Sequence, residues 1–179
     1  NEKHFLDSLA VVRVMDLSGT DRVIDIGTGA GFPGIPLKIV FPHLHVTLLD
    51  SLNKRIRFLG HVAEELQLAD VELLHGRAEE TYDLCVSRAV ANLATLSEYC
   101  LPYVKENGYF IPYKSGEIEE ELDASKKAVS LLGGEIETVE KFTLPGTDIG
   151  RSLVKIRKGK KTPGKFPRKA GLPSKEPLH

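Results

Sequence analysis

Apolar residues follow two different periods along this chain. Short runs of β-branched and aliphatic residues occur at 23–27, 46–49, 71–74, 84–87 and 108–113 and predict strands. Between them, apolar residues recur three or four apart and predict helices over 4–14, from Pro33 to about Val40, 54–67, 93–104 and 117–132. Pro33 suits a first helical turn, where its missing N–H would be unpaired anyway. Ser51 or Asn53 can cap the 54–67 helix, and Gly133-Gly134 ends the last one. Residues 135–144 and 152–156 alternate as a strand pair would, with a hairpin around Pro145-Gly146. Strand and helix therefore alternate, which predicts an α/β fold: a mostly parallel sheet with helices on both faces and an antiparallel last strand. No internal repeat is visible.

The 179 residues are 41% apolar, enough for one α/β domain, expected over 1–157. No apolar run approaches the roughly 20 residues needed to cross a bilayer, so no membrane partner is expected. Asn1-Glu2-Lys3 reads as a cut inside a protein. Cys85 and Cys100 match no metal-ligand spacing, and Cys85 sits in an apolar run as a reduced core thiol would. Neither a metal nor an oxidising compartment is implied; the expected location is the cytoplasm. Charge is uneven. From Lys155 to His179 there are nine Lys/Arg and one acid, a net +8, which leaves −9 on residues 1–154. Residues 158–179 are rich in Gly, Pro and Lys and predict an irregular basic tail. Within it, Lys165-Phe166-Pro167-Arg168-Lys169 places an aromatic among cations. Lys165, Arg168 and Lys169 are candidate contacts to an RNA backbone, with a merely solvated tail as the alternative.

The richest local chemistry is Val23-Ile24-Asp25-Ile26-Gly27-Thr28-Gly29-Ala30-Gly31-Phe32-Pro33-Gly34. Gly29-Ala30-Gly31-Phe32-Pro33-Gly34 fits the dinucleotide fingerprint, but it starts two residues after the predicted strand end. In the other register, Asp25-x-Gly27-x-Gly29-x-Gly31, the first glycine is in place and a carboxylate sits in the strand. A buried carboxylate needs partners, either turn amides or the ammonium of an amino-acid-bearing ligand. S-adenosylmethionine is such a ligand. A nicotinamide or flavin cofactor, or a turn without a ligand, are the alternatives. Asp50 ends the next strand and can accept from ribose hydroxyls, with helix capping as its compatible second role. The candidate cofactor residues are thus Asp25, Gly27, Thr28, Gly29, Gly31, Asp50 and Ser51. Ala78-Glu79 join them after the third strand, where an adenine edge would lie, with a solvated loop acid as the alternative; Arg88 ends the fourth strand, where a target base would sit. For Arg88, an ion pair with Asp83 or with the cofactor carboxylate, or a helix-start arginine in solvent, are the alternatives. Lys114 is a weaker candidate, and His4 and His75 are expected to be structural or exposed.

Several strings act together: Lys3-His4-Phe5-Leu6-Asp7-Ser8-Leu9, the glycine turn with Phe32-Pro33-Gly34-Ile35-Pro36, Leu48-Leu49-Asp50-Ser51, Gly76-Arg77-Ala78-Glu79-Glu80, Ser87-Arg88-Ala89 and Leu144-Pro145-Gly146-Thr147. As a set they resemble the bacterial 16S ribosomal RNA guanine-N7 methyltransferase family, also called glucose-inhibited division protein B. The resemblance implies a Rossmann-like class I methyltransferase with a seven-stranded sheet. It implies S-adenosylmethionine as cofactor and 16S rRNA of the small ribosomal subunit as partner. It matches Gly27, Phe32, Ala78, Glu79 and Arg88 to cofactor contacts, and Arg77 and Arg88 to paired catalytic arginines near methyl transfer. The chain departs from the family in lacking a longer helical N-terminus with an Asn-Leu-Thr motif, and in a shorter loop between Glu80 and Tyr82. Guanine N7 has a lone pair and no proton to lose, so no general base is expected. A monomer is expected. A catalytically inactive S-adenosylmethionine-binding RNA module and a small-molecule methyltransferase are the competing readings.

Overall fold

The computed structural model describes residues 2–78 and 80–179. Helix α1 (Glu2–Ser8) passes into a 3-10 turn at Leu9–Arg13. The predicted helix over 4–14 tightens there, where Val11-Val12 brings two β-branched residues and the Ser8 hydroxyl donates to the His4 carbonyl at 2.7 Å. Then follow β1 (Arg22–Ile26), α2 (Gly34–Val40), β2 (His45–Asp50), α3 (Asn53–Glu65), β3 (Val71–His75) and β4 (Tyr82–Ser87). The chain continues through α4 (Leu93–Cys100), β5 (Val104–Ser115), α5 (Glu119–Leu131), β6 (Gly134–Thr143), β7 (Gly150–Lys158) and α6 (Leu172–Lys175).

The seven strands lie in the order β3-β2-β1-β4-β5-β7-β6. All pairings from β3 to β5 are parallel, and β7 runs antiparallel to both its neighbours. Side chains alternate across the sheet, so each strand feeds two cores. Ile24, Ile26, Cys85, Phe110 and Ile156 face α4 and α5. Val23, Val46, Leu48, Leu84, Val86 and Ile111 face Val11, Leu37 and Leu59 on the other side. Asp25 lies on this second face and is fully buried there.

Boundaries also differ from the sequence pattern around Pro102. The predicted helix over 93–104 stops at Cys100, and Leu101–Tyr103 form a 3-10 turn, because Pro102 has no N–H for the helical ladder. Strand β5 is accordingly twelve residues long. Its register with β4 slips between Tyr82↔Val104 and Leu84↔Tyr109, where Asn107 takes φ +68° and a Cβ on Gly108 would sit 2.7 Å from the Asp83 carbonyl.

Residues beyond β7 are largely irregular but fold back onto α4. Phe166 is 8% exposed, inside the α4–α5 core. The Thr95 hydroxyl donates to the Pro173 carbonyl at 2.9 Å, and Thr162 to the Leu132 carbonyl at 2.6 Å. Among the described residues no helix is long and apolar enough to cross a membrane, and no group of three His, Cys, Asp or Glu is placed to hold a metal. Both cysteines are free and buried, and burial pushes the Cys85 thiol up.

Candidate active site

The order of strands reverses between β1 and β4, and open sheets bind ligands at the carboxyl ends of strands flanking such a point. There β1 runs into the glycine turn. The Gly27 and Thr28 amides both donate to the Leu49 carbonyl, at 2.9 and 3.1 Å, which folds the turn over β2. Gly27 takes φ +69°, and its Cβ position lies 3.1 Å from the Ala89 Cβ, so a side chain there would press on the β4 loop. Ser87 ties the two strand ends together: its hydroxyl donates to the Ile26 carbonyl at 2.7 Å and accepts from the Ala89 amide at 3.2 Å.

Asp25 lies beneath the turn. Its Oδ2 accepts from the Thr28 hydroxyl at 2.7 Å and from the Gly34 amide, the first residue of α2, at 2.9 Å. Its Oδ1 is buried with no protein partner. Burial pushes the carboxyl up to about 8, against the pull of the Thr28 and Gly34 bonds and of Arg88. Asp50 is 2% exposed. Its Oδ2 accepts from the Gly29 amide and its Oδ1 from the Leu52 amide, both at 2.9 Å, and Arg55 approaches Oδ2 to 3.5 Å. It therefore fixes the approach to α3 and braces the turn at once; the N-cap itself is Leu52, with no side-chain cap bond, so neither Ser51 nor Asn53 caps this helix as the sequence suggested.

Three cavities meet at these strand ends. One of 490 Å³ is lined by Ile26, Gly27, Leu49, Ser51, Arg77 and Ala89, with Leu96, Tyr99 and Tyr103 behind them. A second, of 330 Å³, is bounded by His4, Gly27, Thr28, Gly29, Phe32 and Arg88. A third, of 520 Å³, is bounded by Asp7, Arg88, Ala89, Tyr113, Lys114 and Arg151. Gly27 joins the first two, Ala89 the first and third, and Arg88 the last two.

Arg88 thus stands at a junction. It does not pair with Asp83, which accepts from the Asp21 and Arg22 amides and pairs with Lys105. Its partner is Asp7 of α1, at 3.2 Å, with Ser8 Oγ at 3.5 Å and His4 Nδ1 at 3.2 Å. Asp7 also meets Arg151 at 3.4 Å. His4 is exposed, as expected, and also borders a cavity. Lys114 is held by Glu121 and the Ala91 carbonyl.

Sequence reasoning assigned no role to Asp7, Glu98 or Arg151. Glu98 had a signal: it is a lone acid in an apolar helix, and such a group demands a cation. That cation is Arg168. The candidate arginines Arg77 and Arg88 line different cavities: Arg77 flanks the first, its guanidinium donating to the Arg168 carbonyl at 3.2 Å. Ala78 is buried in the core, and Glu79 lies outside the described residues. In the tail, Phe166 is buried and unable to stack on a base, and Arg168 is spent on Glu98; Lys165 and Lys169 remain exposed.

Three features fit an adenosine-bearing ligand with a zwitterionic tail: an apolar cavity ending at Ser51, next to Asp50 in the chain, an open turn whose glycines bring no side chain, and the unpaired Asp25 Oδ1 beneath it. The sheet order with β7 antiparallel, the glycine turn after β1 and the acid ending β2 define a Rossmann-like, S-adenosylmethionine-dependent class I methyltransferase. The same fold recurs in a methyltransferase from Pyrococcus furiosus, with TM-score 0.68, 19% identity, and coverage of 87% of this chain and 83% of that one. It recurs also in M. jannaschii TYW2 in complex with AdoMet, with TM-score 0.69, 13% identity, and coverage of 88% and 77%.

The particular family follows from sequence. The family model GidB, rRNA small subunit methyltransferase G, matches residues 1–150. The chain is 52% identical over 186 residues to the ribosomal RNA small subunit methyltransferase G of Lachnoclostridium phytofermentans, covering 99% of this chain and 77% of that one. It is 49% identical over 185 residues to that of Bacillus subtilis strain 168, covering 98% and 77%. The chain belongs to the rRNA small subunit methyltransferase G family.

Proposed function

We propose that this protein transfers a methyl group from S-adenosylmethionine to N7 of a guanine in 16S rRNA, in the decoding region of the small ribosomal subunit. The observation that carries the reading is the junction of three cavities at Gly27, Arg88 and Ala89, directly over the glycine turn. It stands in a chain about half identical to curated rRNA methyltransferases. When bound, the cofactor supplies a methyl carried on a sulfonium centre.

The chain's own residues hold and orient. Asp50 keeps lone pairs beyond those used by Gly29 and Leu52, and Ser51 stands beside it; both suit ribose hydroxyls. Gly27, Gly29 and Gly31, each at positive φ, admit a ligand close to the backbone, and Thr28 fastens the turn to Asp25. The unpaired Asp25 Oδ1 suits an ammonium. Phe32 walls the central cavity. Ala78 and Glu79 keep their place as adenine contacts on the family resemblance. Arg77 belongs on the cofactor side.

Arg88, braced by Asp7, faces the 520 Å³ cavity, which is open enough for a splayed base. A guanidinium there can bond guanine O6 or a phosphate and leave N7 free. Guanine N7 needs no deprotonation, so orientation and exclusion of water are the site's task. Such holding lowers a barrier by roughly 7–11 kcal/mol when reactants are well placed. Lys165 and Lys169 suit phosphate contacts. The protein acts as a cytoplasmic monomer without a metal.

The test is methyl transfer from labelled S-adenosylmethionine to small subunits isolated without this modification. Label recovered as 7-methylguanine supports the reading. Cofactor binding without incorporation makes the chain an inactive RNA-binding module instead, and label in a small molecule alone makes it a different enzyme.

A further inference from the structure

The C-terminal segment closes one side of the 490 Å³ cavity. Pro167, Ala170 and Gly171 line it together with Leu49, Ser51 and Gly76. This is not a loose arm lying across the opening, because a buried ion pair fixes its position. Glu98 is 0% exposed within α4, and Arg168 is the cation it receives. Glu98 Oε2 accepts the Arg168 backbone amide at 2.8 Å, and its two oxygens take the Arg168 Nε at 3.0 and 3.1 Å and a terminal guanidinium nitrogen at 2.7 Å. A second set of contacts fixes both flanks. Arg168 donates to the Glu176 carbonyl at 2.7 Å, its own carbonyl accepts from Arg77, and Thr95 donates to the Pro173 carbonyl. Phe166 anchors the segment on its other side by entering the core.

We infer that residues 167–171 are part of the donor-binding site, forming the outer wall of the subsite that takes the adenine of S-adenosylmethionine. This rests on the methyltransferase reading above. The walls are of the kind a planar base requires: Leu49, Leu96, Tyr99 and Tyr103 on the body of the protein, Pro167 and Ala170 on the returning segment. The strap closes it with small and rigid residues, leaving room for a ring. The Glu98–Arg168 pair is then a positioning device: neither residue need touch the ligand, and together they set where Pro167 and Ala170 stand. The basic composition of this segment suggests an RNA arm, yet its one central arginine is turned inward. Donor closure and the exposed cations Lys165 and Lys169 therefore share one short stretch of chain.

The experiment is calorimetry with S-adenosylhomocysteine on the full chain, with thermal melting and RNA binding measured alongside. Ala170→Leu adds carbon atoms to the cavity without touching the ion pair. It is expected to weaken S-adenosylhomocysteine at least tenfold and adenosine by a similar factor, with an unchanged melting temperature and RNA affinity. Arg168→Gln is expected to weaken the donor as well, with partial recovery in Arg168→Lys, which still offers Glu98 a cation. Lys165→Gln with Lys169→Gln is expected to do the reverse, lowering RNA affinity while donor affinity holds. A folded Ala170→Leu variant that binds S-adenosylhomocysteine as the parent does overturns the inference, as does a loss confined to RNA. A parent that binds no S-adenosylhomocysteine fails one step earlier: it sinks the methyltransferase reading, and this inference with it.

Discussion

Asp25→Asn separates two roles that one carboxylate holds in this protein. The carboxyl is fully buried and its Oδ1 has no protein partner. Burial pushes its pKa from 3.8 to about 8. The folded chain therefore keeps this proton to higher pH than the unfolded chain does. For a carboxylate shifted upward, the stability it contributes is complete below pH 4 and is lost as pH rises toward 8. Each unit in that window costs about 1.4 kcal/mol, so from pH 5 to pH 8 the parent loses about 4 kcal/mol through this group. Asparagine keeps the shape and one acceptor for Thr28 and Gly34, and it does not titrate. In urea unfolding at pH 5, 6, 7 and 8, the advantage of Asp25→Asn over the parent should widen by about that amount. Parallel stability profiles would refute the burial argument. The same variant should bind S-adenosylhomocysteine at least tenfold more weakly at pH 8, because an ionised Asp25 is the proposed partner of the ligand's ammonium. Undiminished affinity would leave Asp25 as a brace for the turn and nothing more.

Two further substitutions probe the turn and the junction. Gly31 takes φ +96°, and a Cβ there would lie 2.8 Å from Ile35 Cδ1 and 2.9 Å from Leu59 Cδ2; Gly31→Ala should cost roughly 1–3 kcal/mol in chemical denaturation, and an equally stable variant contradicts the strain. Arg88→Gln leaves Asp7 with Arg151 as its only described cation; kcat for rRNA methylation should fall about 100-fold through misplacement of the target, with a smaller change in S-adenosylhomocysteine affinity, and an unchanged kcat removes Arg88 from the reaction.

What could be read without coordinates is what neighbouring residues decide among themselves. Apolar periods of two and of three to four mark strands and helices because each element must present one face to a core, and the strand–helix alternation then leaves few topologies open. The glycine turn belongs to this class. Gly27, Gly29 and Gly31 all take positive φ, a local property that residue type alone can signal. Asp25 stood out for the same reason, as a charge in an apolar strand. Packing decided the remainder. Residue type cannot say that Arg88 turns to Asp7, about eighty positions earlier in the chain, and ignores Asp83 nearby. Nor can it say that Phe166 enters the core and Arg168 answers Glu98 seventy residues away, when the surrounding lysines promise a solvated arm. A cation's partner depends on which surfaces the folded sheet brings within a few ångströms, and a buried acid such as Glu98 accepts whichever cation the returning chain delivers. Composition reveals the need for that partner; only the tertiary path supplies it.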